Sequence, residues 1–146
     1  MGDMLRILFL CTGNACRSQM AEGWARQFKG EVIEPYSAGI RPAGLDPRAV
    51  AAMAEAGVDI SHHRSKHVDE LLGVDFDYVV TVCGHVNEHC PHFPGRTKVV
   101  HVGFDDPPSL ARHAASEDEA MGHYRRARDQ IKAFVETLPS ALTGSS

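Results

Sequence analysis

Residues 7–10, Ile-Leu-Phe-Leu, are apolar at four consecutive positions rather than at alternate ones. Successive side chains of a strand point to opposite faces, so such a run is buried only where both faces of the sheet are covered. Tyr78-Val79-Val80-Thr81-Val82 repeats the pattern, and residues 98–102 and 31–37 read as further strands. Between these runs the period changes to that of a helix. Met20, Ala21, Trp24, Ala25 and Phe28 share one face, closed by Gly30. Asp46-Pro47 reads as an N-cap followed by a first-turn proline, opening a helix with Val50, Met53 and Ala54 inward and Gly57 as its stop. A short helical piece is expected near residues 68–72. Ser116-Glu117-Asp118-Glu119 forms a capping box ahead of a last helix that turns Ala120, Tyr124, Ala127, Ile131, Phe134 and Leu138 inward until Pro139. Strands alternating with helices predict an α/β fold: a single-domain three-layer sandwich, with a four-stranded parallel sheet flanked by helices on both faces. The domain is expected over residues 1–142, with a loose tail at 143–146.

Composition narrows the classes of function. Hydrophobic residues make up 43% and charged residues 23% of the 146, enough for a folded core. No apolar run approaches the ~18–20 residues that cross a bilayer. The apolar start is too short for a signal peptide and lacks a small-residue cleavage site, so a cytoplasmic chain with no membrane partner is expected; a monomer is expected as well, although nothing in the sequence fixes the oligomeric state. A net charge of −4 without a basic run argues against nucleic acid. In a reducing compartment the four cysteines point to metal binding or to redox and catalytic thiols, rather than to structural disulfides.

The first strand empties into Cys11-Thr12-Gly13-Asn14-Ala15-Cys16-Arg17-Ser18, after which a helix begins. The carboxyl edge of a parallel sheet is where ligands bind, and the amino end of a helix favours an anion. Cys11 at such a place is a thiolate candidate, stabilised by the helix end and by Arg17. The Arg17 guanidinium offers a rigid fork of donors to two oxygens of a tetrahedral oxyanion. Gly13 lets the backbone curl, Asn14 tolerates left-handed geometry, and Ser18 can cap the helix and donate to the thiolate. Thr12 to Ser18 are therefore the candidate oxyanion-binding residues. Cys16 is most simply a wall residue, with oxidation to Cys11 as a secondary possibility.

These residues resemble the low-molecular-weight protein tyrosine phosphatase superfamily, and CTGNACRSQMAEGWAR resembles its thioredoxin-coupled arsenate reductase branch. Further matches are YSAGI at residues 36–40, GVDISHHRS, TVCG…HCP and FDDP. The resemblance implies that Cys11 attacks arsenate and that Asp106, the acid directly before Pro107, protonates the leaving oxygen, rather than Asp105. It implies that Cys83 then attacks Cys11 and releases arsenite, and that Cys90 attacks Cys83 to leave a disulfide for thioredoxin. No bound cofactor is implied; thioredoxin is the electron donor and phosphate a competing oxyanion. The segment from Cys83 to Cys90 is expected to change structure during turnover: if residues 84–89 are helical the two cysteines lie too far apart for a disulfide, whereas a permanently irregular loop would need no change.

Other readings remain open at this level. A tyrosine phosphatase needs only the loop cysteine and water, although the family's phosphatases carry an aromatic residue where Pro108 stands. The run His85-Val86-Asn87-Glu88-His89-Cys90-Pro91-His92 mixes imidazole and thiol ligands and allows a metal-binding module. Some family members also hold a potassium ion behind the loop, through side chains matching Asn14, Glu22 and Ser37. Arg64 and Lys66 occupy two further positions of that site, so a fixed side-chain cation would meet the ion, unless Lys66 is simply solvated.

Overall fold

Four parallel strands, β1 (Leu5–Cys11), β2 (Ile33–Gly39), β3 (Tyr78–Thr81) and β4 (Lys98–His101), form one sheet in the order β2-β1-β3-β4. They come from a computed structural model that describes residues 4–82 and 97–143. Cys83, Cys90, the histidines of residues 85–92 and the expected switch segment lie outside the described residues. Ile7, Leu8, Phe9 and Leu10 have no exposed surface, nor have Val79 and Val80. Consecutive positions of β1 and β3 are thus buried on both faces, as their unbroken apolar runs require.

The connecting elements are α1 (Arg17–Lys29), α2 (Pro47–Glu55), a 3-10 turn at Val68–Leu71, α3 (Pro107–Ala111), α4 (Glu117–Glu136) and α5 (Ser140–Thr143). Helix α1 packs on β1, β2 and α4, while α2 and α3 also rest on α4. Arg128 on α4 ties α1 and α2 to α4. Its carbonyl accepts from Trp24 Nε1 at 3.1 Å, and its guanidinium donates to the Ala52 carbonyl at 2.9 Å. No described helix is long and apolar enough to cross a membrane.

Several boundaries and faces differ from the sequence reading. Strand β2 starts at Ile33 rather than residue 31, because Val32 N–H turns back to the Lys29 carbonyl and closes a turn first. Phe28 is 48% exposed; it stacks on Trp24, centroids 5.2 Å apart, with Lys132 Nζ 5.6 Å from its ring. Helix α2 buries Ala49, Ala52 and Met53, leaving Ala54 exposed and Val50 half-buried. Val135, not Phe134, takes the buried position on α4. Asp46 does cap α2, accepting from Arg48 N–H at 3.0 Å with Pro47 in the first turn. Ser116 caps α4 through Glu119 N–H, while the Glu119 carboxylate reaches back to Ala115 N–H. Thr143 is the last residue of α5 rather than the first of a tail.

The chain runs from central β1 outward to β2 on one side, then crosses to β3 on the other. The carboxyl end of β1 is therefore where the winding direction reverses, and a crevice opens there. Cys11 ends β1 directly opposite Gly39, the last residue of β2. A Cβ on Gly39 would sit 2.7 Å from the Thr12 carbonyl oxygen and 2.8 Å from Asn14 N, both rigid backbone atoms. Gly39→Ala should destabilise the fold by ~1–3 kcal/mol, seen as a lower urea midpoint, and should weaken phosphate binding. A midpoint equal to the wild type would show that the loop can move aside at no cost.

Candidate active site

The loop after β1 has its carbonyls turned away from the crevice, each by an identifiable donor. Ile40, Arg41, Ala43 and Asp46 N–H groups reach the carbonyls of Cys11, Thr12, Gly13 and Ala15 at 3.3, 2.8, 2.9 and 3.0 Å. Gln19 Nε2 holds the Asn14 carbonyl at 3.1 Å, and Met20 N–H holds that of Cys16 at 2.9 Å as α1 begins. In a trans peptide the C=O of one residue and the N–H of the next point in opposite directions. With the carbonyls of residues 12–16 drawn outward, the N–H groups of residues 13–17 face inward. An amide-lined concavity at a helix N-terminus is a site for an anion.

A buried polar layer behind the loop fixes this shape. Asn14 has φ of 49°, the one non-glycine in the left-handed region among the described residues. Its side chain is held at both ends: Nδ2 donates to Ser18 Oγ at 2.9 Å, and Oδ1 accepts from Gln19 Nε2 at 3.0 Å and Lys66 N–H at 2.9 Å. Ser18 is accordingly the second residue of α1, not its cap, and its hydroxyl accepts from Asn14. Ser65 Oγ donates to the Gly13 carbonyl at 3.0 Å. Since the Gln19 amide nitrogen is spent as donor, its Oε1 accepts from His63 Nδ1 at 2.9 Å. Burial pushes the His63 imidazole below its ordinary value, with Glu22 opposing that shift, so the neutral Nδ1–H tautomer suits this bond.

On the open side, the structure brings Cys11, Arg17 and Asp106 to one cavity of about 440 Å³, walled by Ala43, Gly44, Leu45 and Pro108. Arg17 is nearly buried, donates to the Phe104 carbonyl at 3.1 Å, and lies 3.5 Å from Asp106 Oδ1. Asp106 starts α3 without capping it, which leaves its carboxylate directed at Arg17. Asp105 is exposed and does not line the cavity. Cys11 and Cys16 are thiols rather than a disulfide. Burial, then the Asp46 carboxylate, pushes the Cys16 thiol far up, so it stays protonated as a wall residue. β3 is the direct neighbour of β1, and Val82 N–H bonds the Leu10 carbonyl at 3.0 Å. The chain therefore reaches the residue before Cys83 beside the strand that carries Cys11.

Sequence reasoning missed Gln19, His63 and Ser65 as supports of the loop, and Asp46 as its anchor. Asp46 accepts from Tyr124 Oη at 2.6 Å while capping α2 and donating to the loop. A polar Gln19 beside the apolar face of α1, and the dense polar run 61–66, were the available signals.

The side chains that match the family's potassium position do not fit a further ion. Lys66 Nζ, half-buried, donates to the Ser37 carbonyl at 2.8 Å and the Arg64 carbonyl at 3.1 Å. Ser37 Oγ in turn donates to Glu22 Oε1 at 2.6 Å. The Arg64 guanidinium, by contrast, turns outward to Glu70 at 2.7 Å. Among the described residues no group of three or more His, Cys, Asp or Glu side chains is arranged to hold a metal ion.

A cysteine at a strand end, a loop lined with amides, and a facing arginine and aspartate define an oxyanion site of the cysteine-loop class. The chain belongs to the low molecular weight phosphotyrosine protein phosphatase family, whose pattern matches residues 6–144. It is 49% identical over 135 residues to an arsenate reductase of Bacillus subtilis (strain 168), spanning 90% of this chain and 95% of that protein. Its fold matches an arsenate reductase in the phosphate binding state with a TM-score of 0.74 and 28% identity, over 98% of this chain and all of the other. A thioredoxin-dependent arsenate reductase from Corynebacterium glutamicum matches with a TM-score of 0.70 and 26% identity, over 99% of this chain and 65% of that one.

The two loop thiols should respond differently to chemistry. Iodoacetamide at neutral pH should label Cys11 in preference to Cys16, and bound phosphate should protect Cys11. Cys16→Ala should keep phosphate affinity within about twofold, because the residue only fills the wall. Peptide mapping by mass spectrometry and calorimetry check both, and preferential labelling of Cys16 would contradict the assignment.

Proposed function

We propose that this chain reduces arsenate to arsenite by a relay of three cysteines and is regenerated by thioredoxin. The observation that carries the reading is the 49% identity to a protein named arsenate reductase over nine-tenths of the chain. The site geometry and the presence of Cys83 and Cys90 in the sequence support it.

The Cys11 thiolate attacks arsenic and forms an As–S bond, while the loop amides and Arg17 hold the remaining oxygens. One arsenate oxygen leaves as water on taking up protons, one of them from Asp106. Cys83, as thiolate, then attacks Cys11 Sγ. A Cys11–Cys83 disulfide forms, the As–S bonding pair passes to arsenic, and As(V) leaves as As(III) in arsenite. Cys90 attacks Cys83 and releases Cys11 as thiolate. The dithiol of thioredoxin reduces the Cys83–Cys90 disulfide and becomes a disulfide itself, so two electrons are transferred per arsenate.

The same loop and acid suit hydrolysis of a phosphate ester, in which water rather than Cys83 resolves the covalent intermediate. The family's phosphatase pattern favours slow phosphatase turnover as a side activity.

Arsenate turnover coupled to thioredoxin, thioredoxin reductase and NADPH tests the main reading. Cys11→Ser should abolish it, Cys83→Ser and Cys90→Ser should block recycling, and Asp106→Asn should slow it by ~10²–10⁴. Asp105→Asn should change it far less. Phosphatase turnover without any thioredoxin-dependent arsenite formation would overturn the proposal.

A further inference from the structure

Behind the loop, Lys66 stands at the centre of the residues that hold it, and its side-chain charge has a use beyond packing. Residues 64, 65 and 66 each hold part of the loop or its support. The Arg64 carbonyl accepts from Gln19 Nε2 at 3.1 Å, Ser65 Oγ binds the Gly13 carbonyl, and Lys66 N–H binds Asn14 Oδ1. The Lys66 carbonyl accepts from Gly39 N–H at 2.9 Å, which ties the segment to the end of β2. These backbone links leave the ammonium to do a separate task. It bridges the Ser37 carbonyl on β2 and the Arg64 carbonyl, and Glu22 attracts it from α1. Partial burial of a cation is unfavourable unless such oxygens replace its hydration.

We propose that Lys66 is a positioning residue that supplies a tethered cation behind the anion loop, making oxyanion binding independent of any dissolved monovalent cation. A positive charge fixed there draws the carbonyls of Ser37 and Arg64 together. It thereby keeps residues 64–66 against the loop, and it adds to the positive potential felt by a bound oxyanion. The inference concerns anion binding alone, and it holds whether the loop goes on to reduce or to hydrolyse its ligand.

Inorganic phosphate is the probe, titrated calorimetrically into the reduced full chain at equal ionic strength in choline, sodium or potassium chloride. Wild-type affinity should agree within about twofold among the three salts. Lys66→Met fills the space without charge and should lose roughly tenfold in affinity in every salt. Lys66→Ala opens the space, so it should lose as much in choline chloride and regain most of it in potassium chloride. Lys66→Arg should retain more affinity than either. A role in packing alone would give losses in Lys66→Ala that no salt repairs, and that result would overturn the proposal. Wild-type affinity that rises several-fold with potassium would overturn it too, as would unchanged affinity in Lys66→Met. Should Lys66→Ala fail to fold, judged by circular dichroism, the comparison of Lys66→Met with Lys66→Arg decides the matter.

Discussion

Six consecutive carbonyls, from Cys11 to Cys16, accept hydrogen bonds on the side away from the crevice, and the site depends on that. A backbone carbonyl pointing into the cavity would repel an oxyanion, and an unsatisfied one would cost ~1–3 kcal/mol if buried. Here residues 40–46 run alongside the loop and supply four of the six donors, so carbonyl satisfaction and amide presentation are one arrangement. Gln19 supplies the fifth from inside α1, and the first turn of α1 supplies the sixth. Anion affinity is thereby built into the backbone, with Arg17 as the side-chain contribution.

Sheet topology explains why this arrangement falls where it does. β1 is flanked by β2 and β3, and the segment leaving β2 and the loop leaving β1 run side by side at the carboxyl edge of the sheet. The first supplies the outward donors and the Ala43–Leu45 wall. The segment after β4 brings Asp106 to Arg17 across the cavity mouth. Arg17 bonds the Phe104 carbonyl as well, so the guanidinium that lines the cavity also fixes the position of the Asp106 carboxylate beside it. Asp46 does the comparable job on the other wall, where burial and Asp46 itself push the Tyr124 hydroxyl up and keep it a donor.

Much of this was legible in the sequence because it depends on local pattern. Unbroken apolar runs required a sheet covered on both faces, and β1 and β3 are covered so. Cys11, Gly13, Asn14 and Arg17 could be read as an oxyanion loop because strand, curl and helix follow one another within eight residues. Asp46-Pro47 and Ser116 disclosed their helix starts through capping chemistry. What escaped is non-local. Periodicity placed Phe28 inward, but a ring stacked on Trp24 beneath Lys132 satisfies the same spacing from outside the core. Ser18 looked like a cap because a hydroxyl near a helix start usually is one, whereas Asn14 had already claimed it. The pairing of residues 40–46 with the loop, and of His63 with Gln19, joins positions far apart in sequence that no periodicity connects.

A loop cysteine that bonds to arsenate serves reduction only if further thiols release the arsenic as arsenite and are themselves oxidised, and counting thiols tests that directly. Reduced protein is mixed with one equivalent of arsenate and no electron donor, then arsenite and remaining thiols are measured. One arsenite per chain and a fall from four thiols to two are expected, the missing pair recovered as a Cys83–Cys90 disulfide by mass spectrometry. Four thiols and no arsenite after prolonged incubation would contradict the relay and leave an oxyanion site whose chemistry is hydrolytic.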